Sequence, residues 1–138
     1  MEAPFLSQLN LVLQMIILVL LWSSYLLKRR GRFFLHGSLM STAVVLNAVA
    51  FLLVMGPSLI SLTVDQFASL SLWASVIVLV HAVLGSVVLV LGIWIVGSWR
   101  FRPGTTHCAG KKKVMLPTIV AWTIVAALGV YLYLLLYF

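Results

Sequence analysis

Four long apolar runs follow one another along the chain, at about residues 7–27, 33–55, 71–99 and 114–137. An α-helix rises 1.5 Å per residue, so that about 20 apolar residues cross the hydrocarbon core of a bilayer. Each run is long enough for this, and the segments between the runs are short. The pattern therefore predicts an all-α, polytopic membrane protein whose four transmembrane helices form a single domain over residues 1–138.

The composition supports this interpretation. Hydrophobic residues make up 64% of the chain and charged residues only 8%, whereas a soluble domain carries about 25% charged residues. A small soluble domain also exposes a large share of its surface to water, and this chain has few polar side chains to cover that surface. We therefore expect its helices to contact lipid.

The charges predict the topology. All basic residues lie in two stretches, 28–32 and 100–113, whereas the two acids are Glu2 and Asp65. Loops rich in lysine and arginine stay in the cytoplasm, so both basic loops are predicted there, with the N-terminus, the 56–70 loop and the C-terminus outside. The net charge of +7 does not indicate nucleic-acid binding, because basic residues beside spans contact anionic lipid headgroups.

Helix breakers stand between the runs. Gly31 lies in the first basic loop, Gly56-Pro57 follows the second run, and Pro103-Gly104 begins the second basic loop. Because proline disrupts the hydrogen bonding of a helix interior, we expect the second helix to end at Gly56-Pro57. The predicted architecture is an up-down bundle made of two hairpins, each turning through a basic loop.

Polar side chains within the spans are costly in lipid and are expected to face the bundle interior and find partners there. Ser7, Asn10 and Gln14 fall on one face of the first helix. Counted at 1.5 Å per residue from the basic loops, Gln14 and Asn47 lie about 20 Å from the cytoplasmic edge and His81 about 27 Å. We predict that Gln14, Asn47 and His81 form a polar intramembrane cluster in the outer half of the bundle.

His81 is the candidate ligand within this cluster. An imidazole in the middle of a membrane can bind haem or copper, or relay protons. The simpler interpretation is a neutral histidine that is hydrogen-bonded to Asn47 or Gln14 and holds helices together. Gly85 and Gly92 lie near the same face, where they leave room for a flat cofactor or for close helix packing.

Two further histidines are predicted at the cytoplasmic side. His36 lies about 5 Å from that edge, and Met40 follows one turn later, which gives a pair of ligands suited to copper or haem. His107, in the second basic loop, is a candidate to share one haem with His36. The simpler interpretations are an interfacial histidine, a packing methionine and a loop residue. His36 and His81 would serve separate sites, since their depths differ by about 20 Å.

The chain is predicted not to be an enzyme. It contains no Ser-His-Asp set, no paired carboxylates and no phosphate-binding loop. Both acids are predicted outside the hydrocarbon, so proton transfer between internal carboxylates is not expected.

Three segments carry a resemblance to a known family: LHGSLM at 35–40, VLVHAVLGSVVLVLG at 78–92 and AWTIVAALGVYLYLLLY at 121–137. Through them the chain resembles, over about residues 33–137, the small four-helix bacterial and archaeal membrane proteins of the CtaM/YozB group. That family is linked to the maturation of haem–copper terminal oxidases. His36 and His81 match its histidines at the start of the second helix and within the third.

The chain departs from the family at two places. Met55 and Ser58 stand near the outer end of the second helix, where members tend to carry a histidine. Lys111, Lys112 and Lys113 stand where members tend to carry a histidine-arginine pair. The family's inner and outer histidine pairs would therefore be complete here only if His107 and Met55 substitute.

The resemblance implies an accessory integral membrane protein of the respiratory chain, in the plasma membrane of a prokaryote. It would assist the assembly of a haem–copper terminal oxidase or form a small subunit of one, with lipids and other membrane subunits as partners. Two alternatives stay open at this point: a small b-type haem-binding cytochrome, and a purely structural subunit of another membrane complex. For the cofactor, haem b, copper and none are the three expectations.

Overall fold

The structure, a computed structural model, describes residues 5–62, 64–101 and 112–138. Its regular elements within these residues are all helical: α1 (Phe5–Arg29), α2 (Phe33–Ala50), a π-helical segment (Phe51–Met55), α3 (Gly56–Ser61), α4 (Val64–Ser69), α5 (Leu72–Phe101) and α6 (Lys112–Tyr137).

Four helices are long and apolar enough to cross a membrane, and we call them the first to fourth spans: Phe5–Arg29, Phe33–Ser61, Leu72–Trp99 and Lys113–Tyr137. The second span comprises α2, the π-helical segment and α3. The prediction of an all-α protein with four membrane helices is confirmed.

Each span packs against two neighbours. The first and third spans both contact the second and the fourth, and the most extensive contacts lie within the two sequential hairpins. This is the pairing of an up-down four-helix bundle. We call the end where residues 28–32 join the first two spans the basic end, and the end where residues 62–71 join the second and third spans the distal end.

The core is a column of apolar side chains along the bundle axis, whereas the outward faces are also apolar. Ile17, Leu21 and Ile119 are fully buried at its centre. Large side chains such as Val19 and Val90 point outward and are exposed. An apolar surface of this extent is unfavourable in water, so the outward faces are suited to contact with lipid.

The turn at the basic end is defined by its backbone hydrogen bonds. Gly31 adopts a φ of 76°, a conformation that glycine reaches without steric cost. The N–H of Arg32 donates to the carbonyl of Leu27 at 3.0 Å, and the N–H of Gly31 donates to Lys28 at 3.0 Å. These are the two bonds of a Schellman motif, and they reverse the chain within three residues.

The predicted end of the second helix at Gly56-Pro57 is wrong. The helix continues to Ser61 through the π-helical segment, where the N–H of Gly56 donates to the carbonyl of Phe51. Proline in an α-helix clashes with the carbonyl four residues earlier and lacks an N–H. The wider π turn, which is a common means of inserting a residue into a helix, lets the chain pass Pro57 and remain helical.

Glycines allow aromatic rings to pack against helix backbones. A Cβ on Gly37 would lie 2.5 Å from Cζ2 of Trp99, and one on Gly92 would lie 2.9 Å from Cζ3 of Trp122. The space beside Gly92 is therefore taken by Trp122, so at this glycine the packing interpretation holds and the room for a flat cofactor is absent.

The expectation that polar side chains face the bundle interior is wrong for several hydroxyls. Thr42, Ser86 and Ser98 are exposed, and each donates to the carbonyl four residues earlier in its own helix at 2.7–2.9 Å. A hydroxyl paired in this way needs no partner on another helix. Serine and threonine can therefore face lipid at little cost.

Candidate functional site

The bundle contains two histidine environments, and the one at the basic end is closed. His36 is only 3% exposed. Its Nδ1 lies 2.9 Å from the backbone carbonyl of Ser24, and the Ser24 hydroxyl donates to the carbonyl of His36 at 2.9 Å. The same hydroxyl lies 2.7 Å from Nδ1. Ser24 and His36 thus bind each other through two polar groups each, across the first hairpin.

These contacts define the tautomer of His36. A carbonyl oxygen only accepts hydrogen bonds, so Nδ1 must carry the proton, and in the neutral ring Nε2 keeps the lone pair. A histidine that binds a metal commonly presents Nε2 while Nδ1–H donates to a carbonyl. Met40, predicted as a metal ligand with His36, is buried one turn away. The residue types suit copper, but both side chains are enclosed by neighbouring helices.

Polar side chains also join the first span to the fourth. Nζ of Lys28 donates to Sδ of Met115 at 3.3 Å, and Nε1 of Trp22 donates to Oγ1 of Thr123 at 3.2 Å. Together with Ser24 and His36 they make the basic half of the bundle a region of satisfied polar contacts between helices. Such contacts stabilise a membrane bundle by about 0.6 kcal/mol each on average.

The distal half of the bundle contains a cavity of about 340 Å³. Residues of all four spans line it, and most of them are apolar. Its volume lies within the range of small-molecule sites, roughly 300–1,000 Å³. The polar side chains on its wall are Ser7, Asn10, Gln14, Asn47, Ser58, His81, Ser86, Tyr133 and Tyr137.

The three residues of the predicted polar cluster lie on this cavity. Nε2 of Gln14 donates to Oδ1 of Asn47 at 3.0 Å, which ties the first span to the second. His81 lines the same cavity from the third span. The structure therefore brings Gln14, Asn47 and His81 to one site, but among them it pairs only Gln14 with Asn47.

His81 has a partner on one side of its ring and none on the other. The ring interacts with the backbone carbonyl of Val125 and packs on Gly129, whose Cβ would lie 3.0 Å from Cε1 of His81. Nδ1 is buried without a hydrogen-bond partner. Since Val125 accepts through its carbonyl, it takes the proton of Nε2, and Nδ1 is left as an acceptor.

Asn10 is the second such group. Its Oδ1 is buried without a hydrogen-bond partner, and its side chain lines the cavity. Within the described residues these two atoms are the buried side-chain nitrogen and oxygen atoms that lack a partner. Most buried polar atoms in folded proteins are paired, so two unpaired acceptors on one cavity indicate a missing ligand or ordered water.

The π-helical segment borders the cavity as well. Phe51, Val54 and Met55 line it, as does Ser58 just beyond. Short π segments in helices are often found at functional sites. The turn that carries the chain past Pro57 thereby presents Met55 to the cavity that His81 lines, which are the two positions of the family's outer histidine pair.

His107, the third predicted ligand, lies outside the described residues. The pairing of His107 with His36 therefore stays a prediction. Within residues 5–62, 64–101 and 112–138, no group of three His, Cys, Asp or Glu side chains is arranged to hold a metal ion.

Ser24 and Asn10 are the residues whose importance the sequence reasoning missed. The signal for Ser24 was present, because Ser24 and His36 each lie six residues from Arg30 at the centre of the hairpin turn. Gln14 and Asn47 lie sixteen and seventeen residues from it. Antiparallel helices joined by a tight turn bring such positions to the same level. Asn10 shares a helical face with Gln14, but its missing partner cannot be read from that spacing.

No protein-family model, curated protein or solved structure matches the chain. The resemblance to the CtaM/YozB group therefore stays a prediction that rests on the residues quoted for it.

Haem does not fit either histidine in this arrangement. The ring of His36 is enclosed, with no open face for a macrocycle. At His81 the unpaired nitrogen is Nδ1, which is adjacent to Cβ, so a flat macrocycle bound there would meet the backbone of the third span. Copper(I) is small and prefers nitrogen and sulfur ligands, and Nδ1 of His81 with Met55 supplies both types at the cavity.

Proposed function

We propose that this chain is a non-enzymatic accessory protein of the respiratory membrane. It assists the assembly of a haem–copper terminal oxidase or forms a small subunit of one. Under this proposal it lies in the plasma membrane of a prokaryote, and its basic loops 28–32 and 100–113 face the cytoplasm. Its partners are other integral membrane subunits, together with lipid.

The observation that carries the proposal is the distal cavity with His81 and Met55 on its wall. These two residues occupy the positions at which the resembled family has its outer histidine pair. The cavity supports a role in holding a small group, because its polar atoms are few and its walls are mostly apolar. The segments of resemblance at 35–40, 78–92 and 121–137 support the link to an oxidase.

The basic end supports a structural role. Ser24, His36, Lys28 and Met115 are engaged with one another or with the backbone, and these contacts hold three spans together. Conformational rigidity at one end of the bundle is suited to presenting the cavity at the other end. The b-type cytochrome alternative finds no support in this geometry and stays a prediction.

A second candidate function is the transient holding of copper(I), favoured by the joint presence of His81 and Met55 on the cavity. His81 would bind through Nδ1 and Met55 through Sδ, since soft thioether and imidazole ligands select copper(I). The metal, when bound, would supply a redox-active centre for delivery to a partner. The chain's own part would be to hold it in an apolar site away from water.

The proposal is tested by purifying the tagged chain from its native membrane in mild detergent and identifying the proteins that accompany it. We expect subunits of a haem–copper oxidase in constant ratio to the chain. Metal analysis and a visible spectrum of the same sample test for copper and haem. Subunits of an unrelated membrane complex, with no oxidase present, would contradict the proposal and favour the purely structural alternative.

A genetic arm separates assembly from mere association. Membranes of cells lacking the chain should have reduced oxidase activity, and the wild-type chain should restore it. His81→Ala and Met55→Ala should restore it only in part, whereas the matched control Ser98→Ala should restore it fully, because Ser98 is exposed and bonds only its own helix. Full rescue by both cavity variants would remove the cavity from the proposed role.

A further inference from the structure

The distal cavity carries more information than its volume, because its two unpaired buried atoms have the same polarity. Oδ1 of Asn10 is an amide oxygen, and Nδ1 of His81 is an acceptor while Nε2 faces the carbonyl of Val125. A ligand that satisfies both must donate two hydrogen bonds. Leaving such atoms unpaired in a low-dielectric interior costs about 1–3 kcal/mol each.

The walls limit the ligand further. Phe51, Trp122 and Tyr133 supply aromatic surface, and aliphatic side chains supply most of the rest. Aromatic rings pack favourably against aromatic walls. The cavity of about 340 Å³ is lined by membrane-spanning helices, so that a lipid-soluble molecule is the natural occupant.

We propose that the distal cavity binds a lipid-soluble hydroquinone, whose two hydroxyls donate to Asn10 and His81 and whose ring lies against the aromatic wall. This inference deepens the proposed function by naming an occupant of the same cavity, and it rests on that function only for the choice of site. It is a binding site, and no electron transfer by the chain is implied.

Two other occupants fit less well. Copper(I) would engage the nitrogen of His81 and the sulfur of Met55, but the amide oxygen of Asn10 is a hard ligand that copper(I) does not favour. Water would satisfy both acceptors, but each buried water needs two to four polar partners, and the wall between them is mostly apolar. A hydroquinone pairs both acceptors and fills the apolar volume.

The site should distinguish redox states. The oxidised quinone has only carbonyl oxygens, which would face two acceptors instead of donating to them. We therefore expect decyl-hydroquinone to bind at least about tenfold more tightly than decyl-benzoquinone, since two hydrogen bonds of ordinary strength exceed the 1.4 kcal/mol of a tenfold ratio. The dimethyl ether of decyl-hydroquinone, which cannot donate, should bind as weakly as the quinone.

The experiment is equilibrium binding of these three compounds to the full chain in phosphatidylcholine nanodiscs without oxygen, with empty nanodiscs as background. Asn10→Leu and His81→Leu should each weaken hydroquinone binding by about tenfold, and should leave quinone binding unchanged. Ser98→Ala is the matched control and should change neither. Thermal unfolding of each variant checks that it is folded.

Three results would overturn the inference. Equal binding of hydroquinone, quinone and ether would mean that the cavity takes apolar molecules without using its acceptors. Absence of binding above empty nanodiscs would leave water as the occupant. Stoichiometric copper(I) that displaces hydroquinone and depends on Met55 would assign the cavity to the metal. If a variant does not fold, the ratio of hydroquinone to ether binding in the unmodified chain still decides the question.

The inference and the proposed function fail separately. A chain that binds hydroquinone but co-purifies with no oxidase subunit contradicts the proposed function alone. A chain that accompanies an oxidase but binds the three compounds equally contradicts the hydroquinone site alone.

Discussion

The two ends of the bundle place a histidine in opposite circumstances. At the basic end, His36 is enclosed and bonded to both the hydroxyl and the carbonyl of Ser24. At the distal end, His81 lies on a cavity with Nδ1 unpaired. Both residues are single histidines within apolar helices, and the sequence around them offers no way to tell them apart.

The difference teaches that a histidine in a membrane is explained by its neighbours and not by its depth. His36 is where a ligand was expected from its spacing to Met40, yet its contacts are those of a structural residue. His81 was equally open to a structural interpretation, yet the partners expected for it, Gln14 and Asn47, bind each other instead. The free acceptor lies where the bundle leaves space.

The sharpest way to break this comparison is to truncate both histidines. His36→Ala should lower the free energy of unfolding by about 3 kcal/mol, because it removes buried hydrogen bonds and leaves a closed void. His81→Ala, its matched control, should change it by less than about 0.5 kcal/mol, since no bond is lost and the cavity already exists. Reversible unfolding in mixed detergent micelles measures both. Equal losses would mean that the two environments do not differ.

Glycine substitutions compare packing at the two ends. Gly37→Ala should cost about 2 kcal/mol, because the new methyl group overlaps the ring of Trp99. Gly129→Ala should cost less than about 1 kcal/mol, since the ring of His81 can shift into the cavity. The same unfolding measurement applies.

Gly97→Ala is the control for these substitutions, because a Cβ there has nothing within 4 Å. It should leave stability unchanged or raise it slightly. A loss at Gly97 as large as that at Gly37 would show that backbone effects, not contact with Trp99, account for the result.

The hydrogen bond between Gln14 and Asn47 tests whether the distal half has structural contacts of its own. A double-mutant cycle with Gln14→Leu and Asn47→Leu should give a coupling free energy of about 0.6–1 kcal/mol, the range for such bonds in membrane bundles. A coupling of zero would place this pair among the unoccupied polar groups of the cavity and would make the distal end still less structural.

The smallest effect is expected at Asn10. Asn10→Leu should raise stability by about 0.5 kcal/mol in the absence of ligand, because it removes a buried polar atom that has no partner. Asn47→Leu, with the same change of side chain, should lower it. Unfolding followed in paired samples resolves the sign. A loss at Asn10 would indicate a partner for Oδ1 and would weaken the case for a ligand at the cavity.

Much of the fold could be predicted from the apolar runs, and the site in part. The four spans, the glycine turn at Gly31 and the meeting of Gln14, Asn47 and His81 follow from run length, helix pitch and the position of the basic loops. The end of the second helix could not be predicted in this way, because Gly56-Pro57 is an ordinary stop signal that a π turn bypasses. Local rules describe propensity, whereas packing decides whether a helix continues.

The chain's amino-acid order determines that this protein crosses a membrane four times, because apolar runs of this length have no stable place in water. It also determines the register of the first hairpin, since a three-residue turn aligns Ser24 with His36 and Gln14 with Asn47. Tertiary packing decides which polar atoms remain unpaired. Asn10 and His81 lack partners because side chains from four separate spans fail to fill the distal half, and no single helix contains that information.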